Sequence, residues 1–148
     1  MHQQLVAHLD LKPDNLVIAD AQTGPRILII DFGTSVRVIS RDDLITGYRG
    51  TAGWVAPEVG WRETPDQSFS PISADLWACG KLLQWLCSHL QDSYSPEFTR
   101  LATDLMDSEP QNRPVLTLPL QLQSVSRGVK RKLETLDDER NQRLRPFS

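Results

Sequence analysis

The most regular apolar spacing in the chain runs from Ser73 to Leu90. Leu76, Cys79, Leu83, Leu86 and Leu90 fall on one stripe of three- and four-residue steps, while Trp77, Ala78, Leu82 and Trp85 fill the opposite flank. A helix that is apolar nearly all round must be covered on most sides in a water-soluble domain. This segment is therefore predicted to be the hub of the fold, with Ser73 as its cap. Ser95-Pro96-Glu97 predicts a second helix, because a capping hydroxyl, a proline at the first helical position and an early acid precede Phe98, Leu101, Ala102 and Leu105. Pro110 and Pro114 bracket its exit, and a short helix from about Val115 to Gln123 is expected beyond them.

Upstream the period changes. Leu16 to Ile18 and Ile27 to Ile30 are β-branched and apolar runs on either side of Asp20 to Pro25, whose Thr-Gly-Pro marks a turn, so two small hairpins or a paired ribbon around a turn are predicted. Met1 to Ala7 is helix-compatible but uncapped, as the last two turns of a longer helix would be. Thr34 to Thr51 is polar, without a sustained period, and reads as a loop. The expected fold class is mainly α: a helical bundle around one buried central helix, with a two- to four-stranded β ribbon.

Composition adds a boundary. At 148 residues one domain is the natural expectation. Residues 1–123 carry a net charge of −6, whereas 124–148, with Lys130-Arg131-Lys132 and Asp137-Asp138-Glu139-Arg140, carry +3 at low hydrophobicity. The expected division is a folded unit over 1–123 and a charged tail over 124–148, flexible or a solvated helix. The basic triplet is too short, and too closely flanked by acids, to point to nucleic acid. No apolar run approaches the length of a membrane span and no signal-peptide layout opens the chain, so an intracellular, cytoplasmic location is expected, with the nucleus as the alternative. Cys79 and Cys87 share one apolar segment without metal spacing and read as reduced core residues.

The chemistry lies in five ordered landmarks. His8-Leu9-Asp10-Leu11-Lys12-Pro13-Asp14-Asn15 comes first, then Asp31-Phe32-Gly33. Gly50-Thr51-Ala52-Gly53-Trp54-Val55-Ala56-Pro57-Glu58, Asp75-Leu76-Trp77-Ala78-Cys79-Gly80 and Asn112-Arg113-Pro114 follow. Together these resemble the larger, C-terminal lobe of a eukaryotic protein kinase of the Ser/Thr type, over about residues 3 to 123; the parent fold is α+β. Phosphoryl transfer asks for positioning and charge stabilisation more than covalent help, which is why carboxylates, an amide and a lysine recur at such spacing.

The resemblance implies a role for each matching position. Asp10 would be the catalytic base, Lys12 the cation beside the transferring phosphoryl group, and Thr51 the hydroxyl that bridges them. Asn15 and Asp31 would hold Mg²⁺ on ATP, and Val17 would pack beneath the adenine. His8, Phe32, Gly33, Asp75 and the pair Glu58–Arg113 would support the loops: His8 against Phe32, Asp75 by accepting N–H groups of the catalytic loop. The implied cofactors are ATP and Mg²⁺, and the implied partner is a protein substrate, with no nucleic acid and no membrane. Leu9 departs from the pattern, since regulated kinases carry arginine there to pair a phosphorylated activation segment. Phosphorylation at Thr46 or Tyr48 is correspondingly a weaker expectation as a switch. Only Met1 to Ala7 precede His8, so the glycine-rich loop, strand lysine and helix glutamate of the smaller lobe are not in these residues. The chain is therefore expected to be a kinase fragment, inactive by itself unless a missing N-lobe or a partner covers the ATP cleft. A kinase-like binding or regulatory module without catalysis is the alternative. A small-molecule kinase is third, disfavoured by Ala56-Pro57-Glu58.

Overall fold

The computed structural model describes residues 1–19, 24, 26–60, 66–89 and 96–116. Four short strands come before two helices. β1 (Val6–Ala7) pairs antiparallel with β4 (Val36–Arg37), and β2 (Leu16–Ala19) pairs antiparallel with β3 (Arg26–Ile29). The register sets Leu16 opposite Ile29 and Ala19 opposite Arg26, which makes the expected ribbon one hairpin. Three-residue 3₁₀ turns occupy His2–Gln4, Pro13–Asn15, Pro57–Val59 and Pro110–Asn112.

Helix α1 spans Pro71–His89. It starts two residues before Ser73 because Pro71 takes the first helical position, where its missing N–H costs nothing, and Ser70 Oγ accepts the N–H of Ser73 at 3.3 Å. Its first turns are turned into the body: Ile72, Ala74, Asp75, Leu76, Ala78 and Gly80 are all buried. Helix α2 spans Pro96–Leu105 and crosses α1 at Gly80. A Cβ there would lie 2.8 Å from both the Ala102 carbonyl oxygen and Leu105 Cβ, so only glycine permits this approach.

Further expectations change. Met1 to Ala7 forms a 3₁₀ turn and a strand rather than helix, because Leu5 adopts a left-handed φ of 53° that stops the turn and Val6 then pairs with Arg37. The stretch from Thr34 to Thr51 carries β4 and a bridge between Ile45 and Phe69, so it is pinned at two points by main-chain bonds. A core of Ala7, Leu9, Val38, Ala56, Val59, Phe69, Ile72 and Ala74 joins it to α1. Val115 and Leu116 are not helical; the rest of the expected helix to Gln123, and the tail over 124–148, lie outside the described residues. Among the described residues no helix is long and apolar enough to cross a membrane.

Candidate active site

The site is hung from one carboxylate. Asp75, 1% exposed in the second turn of α1, accepts the N–H of His8 at 2.6 Å on Oδ2 and that of Leu9 at 2.8 Å on Oδ1. Both amides belong to the loop that carries Asp10. Leu9 sits at a left-handed φ of 64°, a conformation costly for a branched residue, and the two bonds to Asp75 hold it there. His2 Nε2 adds a third contact to Asp75 Oδ2 at 2.9 Å. His2 was not anticipated from the sequence: it lies 73 residues from its partner, outside the five landmarks, and no local spacing marks it.

His8 is fully buried and uses every polar atom of its ring. Its Nε2 faces the Ile30 carbonyl at 3.0 Å, its Nδ1 accepts the N–H of Asp10 at 3.3 Å, and its ring meets Phe32 edge-on at 4.8 Å between centroids. Thr34 Oγ1 donates to the His8 carbonyl at 2.9 Å. The loops of Asp10 and Asp31 are thereby joined.

Asp10 stands at the centre of a closed cluster. Thr51 Oγ1 donates to its Oδ1 at 2.7 Å, and Lys12 Nζ lies 2.9 Å from its Oδ2. Lys12 also donates to Thr51 at 2.6 Å, and Asn15 Nδ2 donates to Asp10 Oδ2 at 3.0 Å and to the Asp10 carbonyl at 2.8 Å. Partial burial pushes the Asp10 carboxyl upward, but the hydrogen bonds of Thr51, Lys12 and Asn15 and the lysine charge outweigh it. The net shift is downward, so the carboxylate form is favoured.

Asp31 presents a contrast. It is exposed at a left-handed φ of 61°, and its Oδ1 accepts the N–H of Gly33 at 3.2 Å. Asn15, which is buried, turns its nitrogen toward Asp10. Amide and carboxylate oxygens are the hard donors that Mg²⁺ takes, a few from the protein and the rest from phosphate and water. Among the described residues no group of three or more His, Cys, Asp and Glu side chains could hold a metal. Val17 is half-buried on β2, and Phe32 is 48% exposed.

Glu58 and Arg113 meet below this region. The Arg113 side chain is fully buried; its Nη2 donates to Glu58 Oε2 at 2.9 Å, its Nη1 to Glu58 Oε1, and Nη1 also to the Ser73 carbonyl at 2.9 Å. The structure thus brings Asp10, Lys12, Asn15 and Thr51 into direct contact, while Asp31 belongs to a loop joined to theirs through His8 and Phe32.

The protein kinase domain family matches residues 1–91. The chain belongs to the protein kinase domain family. A stretch of 82 residues, 55% of the chain, is 38% identical to the calcium/calmodulin-dependent protein kinase type II alpha chain of Drosophila melanogaster. That stretch covers 14% of the relative's length.

Proposed function

We propose that this chain carries the catalytic half of a protein Ser/Thr kinase site, which moves the γ-phosphoryl group of ATP to a protein hydroxyl. Residues 1–123 would be its C-terminal lobe, 124–148 an appended tail, and its setting the cell interior. The observation that carries the reading is the carboxylate of Asp10, oriented by Thr51 and Lys12 and favoured in its ionised form. A base poised in this way takes the hydroxyl proton as the oxygen attacks. Lys12 would neutralise charge on the transferring group, and the bonds of Thr51 to both side chains support that arrangement. Mg²⁺, when bound by Asn15 and Asp31 with the nucleotide, would shield the phosphate charge. Val17 would face the adenine.

The open side of the site supports a second feature of the proposal. Asp31 and Phe32 are exposed, and the 148 residues hold no glycine-rich loop or strand lysine before His8. The purified 148-residue chain would hold Mg·ATP from one side only, with water screening the contacts that remain. Each absent charged hydrogen bond forfeits roughly 1.5–3 kcal/mol. We therefore infer weak nucleotide binding and slow transfer for this polypeptide alone, with a covering lobe or partner restoring both. The same exposed face favours the alternative of a non-catalytic binding module. Calorimetric titration with Mg·ATP and a γ-phosphate transfer assay, each with and without a supplied kinase N-lobe, test the reading. Transfer that appears with the lobe and needs Asp10 supports it. Absence of transfer under both conditions, with the lobe bound, would leave the non-catalytic module.

A further inference from the structure

Between Val38, buried and bonded to the Leu5 carbonyl, and Ile45, bridged to Phe69, the chain leaves the body in a turn over 39–44. Ile39 is 91% exposed and Leu44 63%. The turn is closed by its own polar groups: Asp43 Oδ2 accepts the N–H of Ile39 at 2.7 Å and of Ser40 at 3.1 Å, and Ser40 Oγ accepts that of Asp42 at 3.3 Å. With so little apolar burial, its seat on the body depends on polar ties. One of these comes from Ser70, whose Oγ donates to the Arg41 carbonyl at 3.0 Å. The same oxygen accepts the N–H of Ser73 and so caps α1. A hydroxyl has one proton to donate and lone pairs to accept with, so the two tasks use different ends of one group.

We propose that Ser70 is a latch that holds the 39–44 turn against α1 and thereby keeps the segment leading to Thr51 ordered. The bridge beside it, Ile45 N–H to the Phe69 carbonyl at 3.0 Å and Phe69 N–H to the Ile45 carbonyl at 2.9 Å, makes Ser70 the outer end of a two-point attachment. Five residues on, Asp75 holds the catalytic loop. Residues at and just before the start of α1 therefore hold both the loop of Asp10 and the 41–45 stretch that leads toward Thr51. Opening the latch frees the turn, and the lost order must be regained when a protein substrate lands on the segment. Any change that leaves the side-chain oxygen an acceptor but removes its proton opens the latch without uncapping the helix. The effect on transfer rests on the kinase reading; the latch itself does not.

Three variants of the 148-residue chain separate the two bonds. Ser70→Thr keeps donor and acceptor, Ser70→Asp keeps only the acceptor, and Ser70→Ala keeps neither. Limited trypsin cleavage after Arg41, read by mass, reports the turn, and hydrogen exchange at the Ser73 amide reports the cap. The threonine variant is expected to match the parent. The aspartate variant is expected to be cut about tenfold faster after Arg41 with Ser73 exchange unchanged, and the alanine variant to show both increases. Parent-like cleavage of the aspartate variant overturns the latch, as does cleavage that rises only together with Ser73 exchange. Neither readout uses ATP, so failure to observe phosphotransfer would count against the kinase reading and not against the latch. With a supplied N-lobe, the aspartate variant is expected to raise KM for protein substrate severalfold at unchanged kcat.

Discussion

The loops of Asp10 and Asp31 touch, yet they are built in opposite ways. Asp10 is surrounded by Lys12 and Asn15 of its own loop and by Thr51 from a second stretch, and the loop that carries it hangs from a buried carboxylate on α1. Asp31 stands exposed next to a half-exposed Phe32 and a β3 strand whose Ile27 and Leu28 face outward. The difference shows which part of the proposed reaction this polypeptide organises by itself. A proton acceptor must be held within hydrogen-bond reach before the substrate arrives. A metal ligand is finished by phosphate and water when they bind. The chain has spent its hydrogen bonds on the first.

The sharpest way to break this contrast is to compare Asp10→Asn with Asp31→Asn in an active assembly. Removing a general base costs about 10²–10⁴ in rate, and Asp10→Asn is expected to fall in or below that range while conserving volume and fold. Asp31→Asn is expected to lose Mg·ATP-dependent transfer without moving the melting temperature, because its carboxylate supports little of the structure. Calorimetric melting beside a transfer assay checks both. Wild-type turnover in the Asp10 variant would sink the assignment of the base, and a large fall in melting temperature for the Asp31 variant would erase the contrast.

The next effect is on stability alone. Arg113→Ala leaves Glu58 without its counter-charge and strips a donor from the Ser73 carbonyl. Breaking a buried pair from one side typically costs about 3–5 kcal/mol. Denaturant unfolding of the variant is expected to show a loss of that order; an unchanged midpoint would mean that the pair is screened by solvent. A smaller signal separates the cysteines. Burial, with the charge of Asp75 behind it, pushes the Cys79 thiol up to about 12, and burial also raises Cys87. At neutral pH, alkylation by iodoacetamide is expected to reach Cys87 first, with Cys79 modified more slowly because its raised pKa leaves less thiolate. Early modification of Cys79 would show that the first turns of α1 open more readily than the burial of their neighbours allows.

What could be read from the sequence divides along the same line of local against distant. Helix α1 was legible because its apolar residues recur at three- and four-residue steps; it starts at Pro71 rather than Ser73 because Ser70, before that proline, supplies the cap. The β2–β3 hairpin was legible from two β-branched runs. Strands β1 and β4 were not, because two-residue strands have no period and their partners lie some thirty positions away. The site follows suit. Asp10, Lys12 and Asn15 share one loop by spacing, whereas the bonds from Thr51 to Asp10 and from Lys12 to Thr51 span 41 and 39 positions. Composition and periodicity carry no information about such contacts, and the resemblance alone implied them. His2, outside the motifs, had no signal at all.

The finest effect expected concerns how Thr51 tunes Asp10. Burial raises the Asp10 carboxyl, and the Thr51 hydrogen bond is the strongest of the influences that lower it. The net folded-state value lies below the ordinary one, so folding favours the ionised form. Asp10 therefore adds stability that is present above its unfolded-state titration and is lost as pH falls through its folded-state titration. Thr51→Val keeps the shape of the side chain but removes the donor. In the variant, burial is less well opposed, and Asp10 is expected to titrate at higher pH than in the parent. Carbon-13 NMR of labelled aspartate carboxyls over an acid titration reads this directly, and the acid limb of thermal stability should move the same way. An Asp10 resonance that titrates at the same pH in both proteins would show that Lys12 and Asn15 suffice to hold the carboxylate ionised, and that the closed cluster does not depend on its third member.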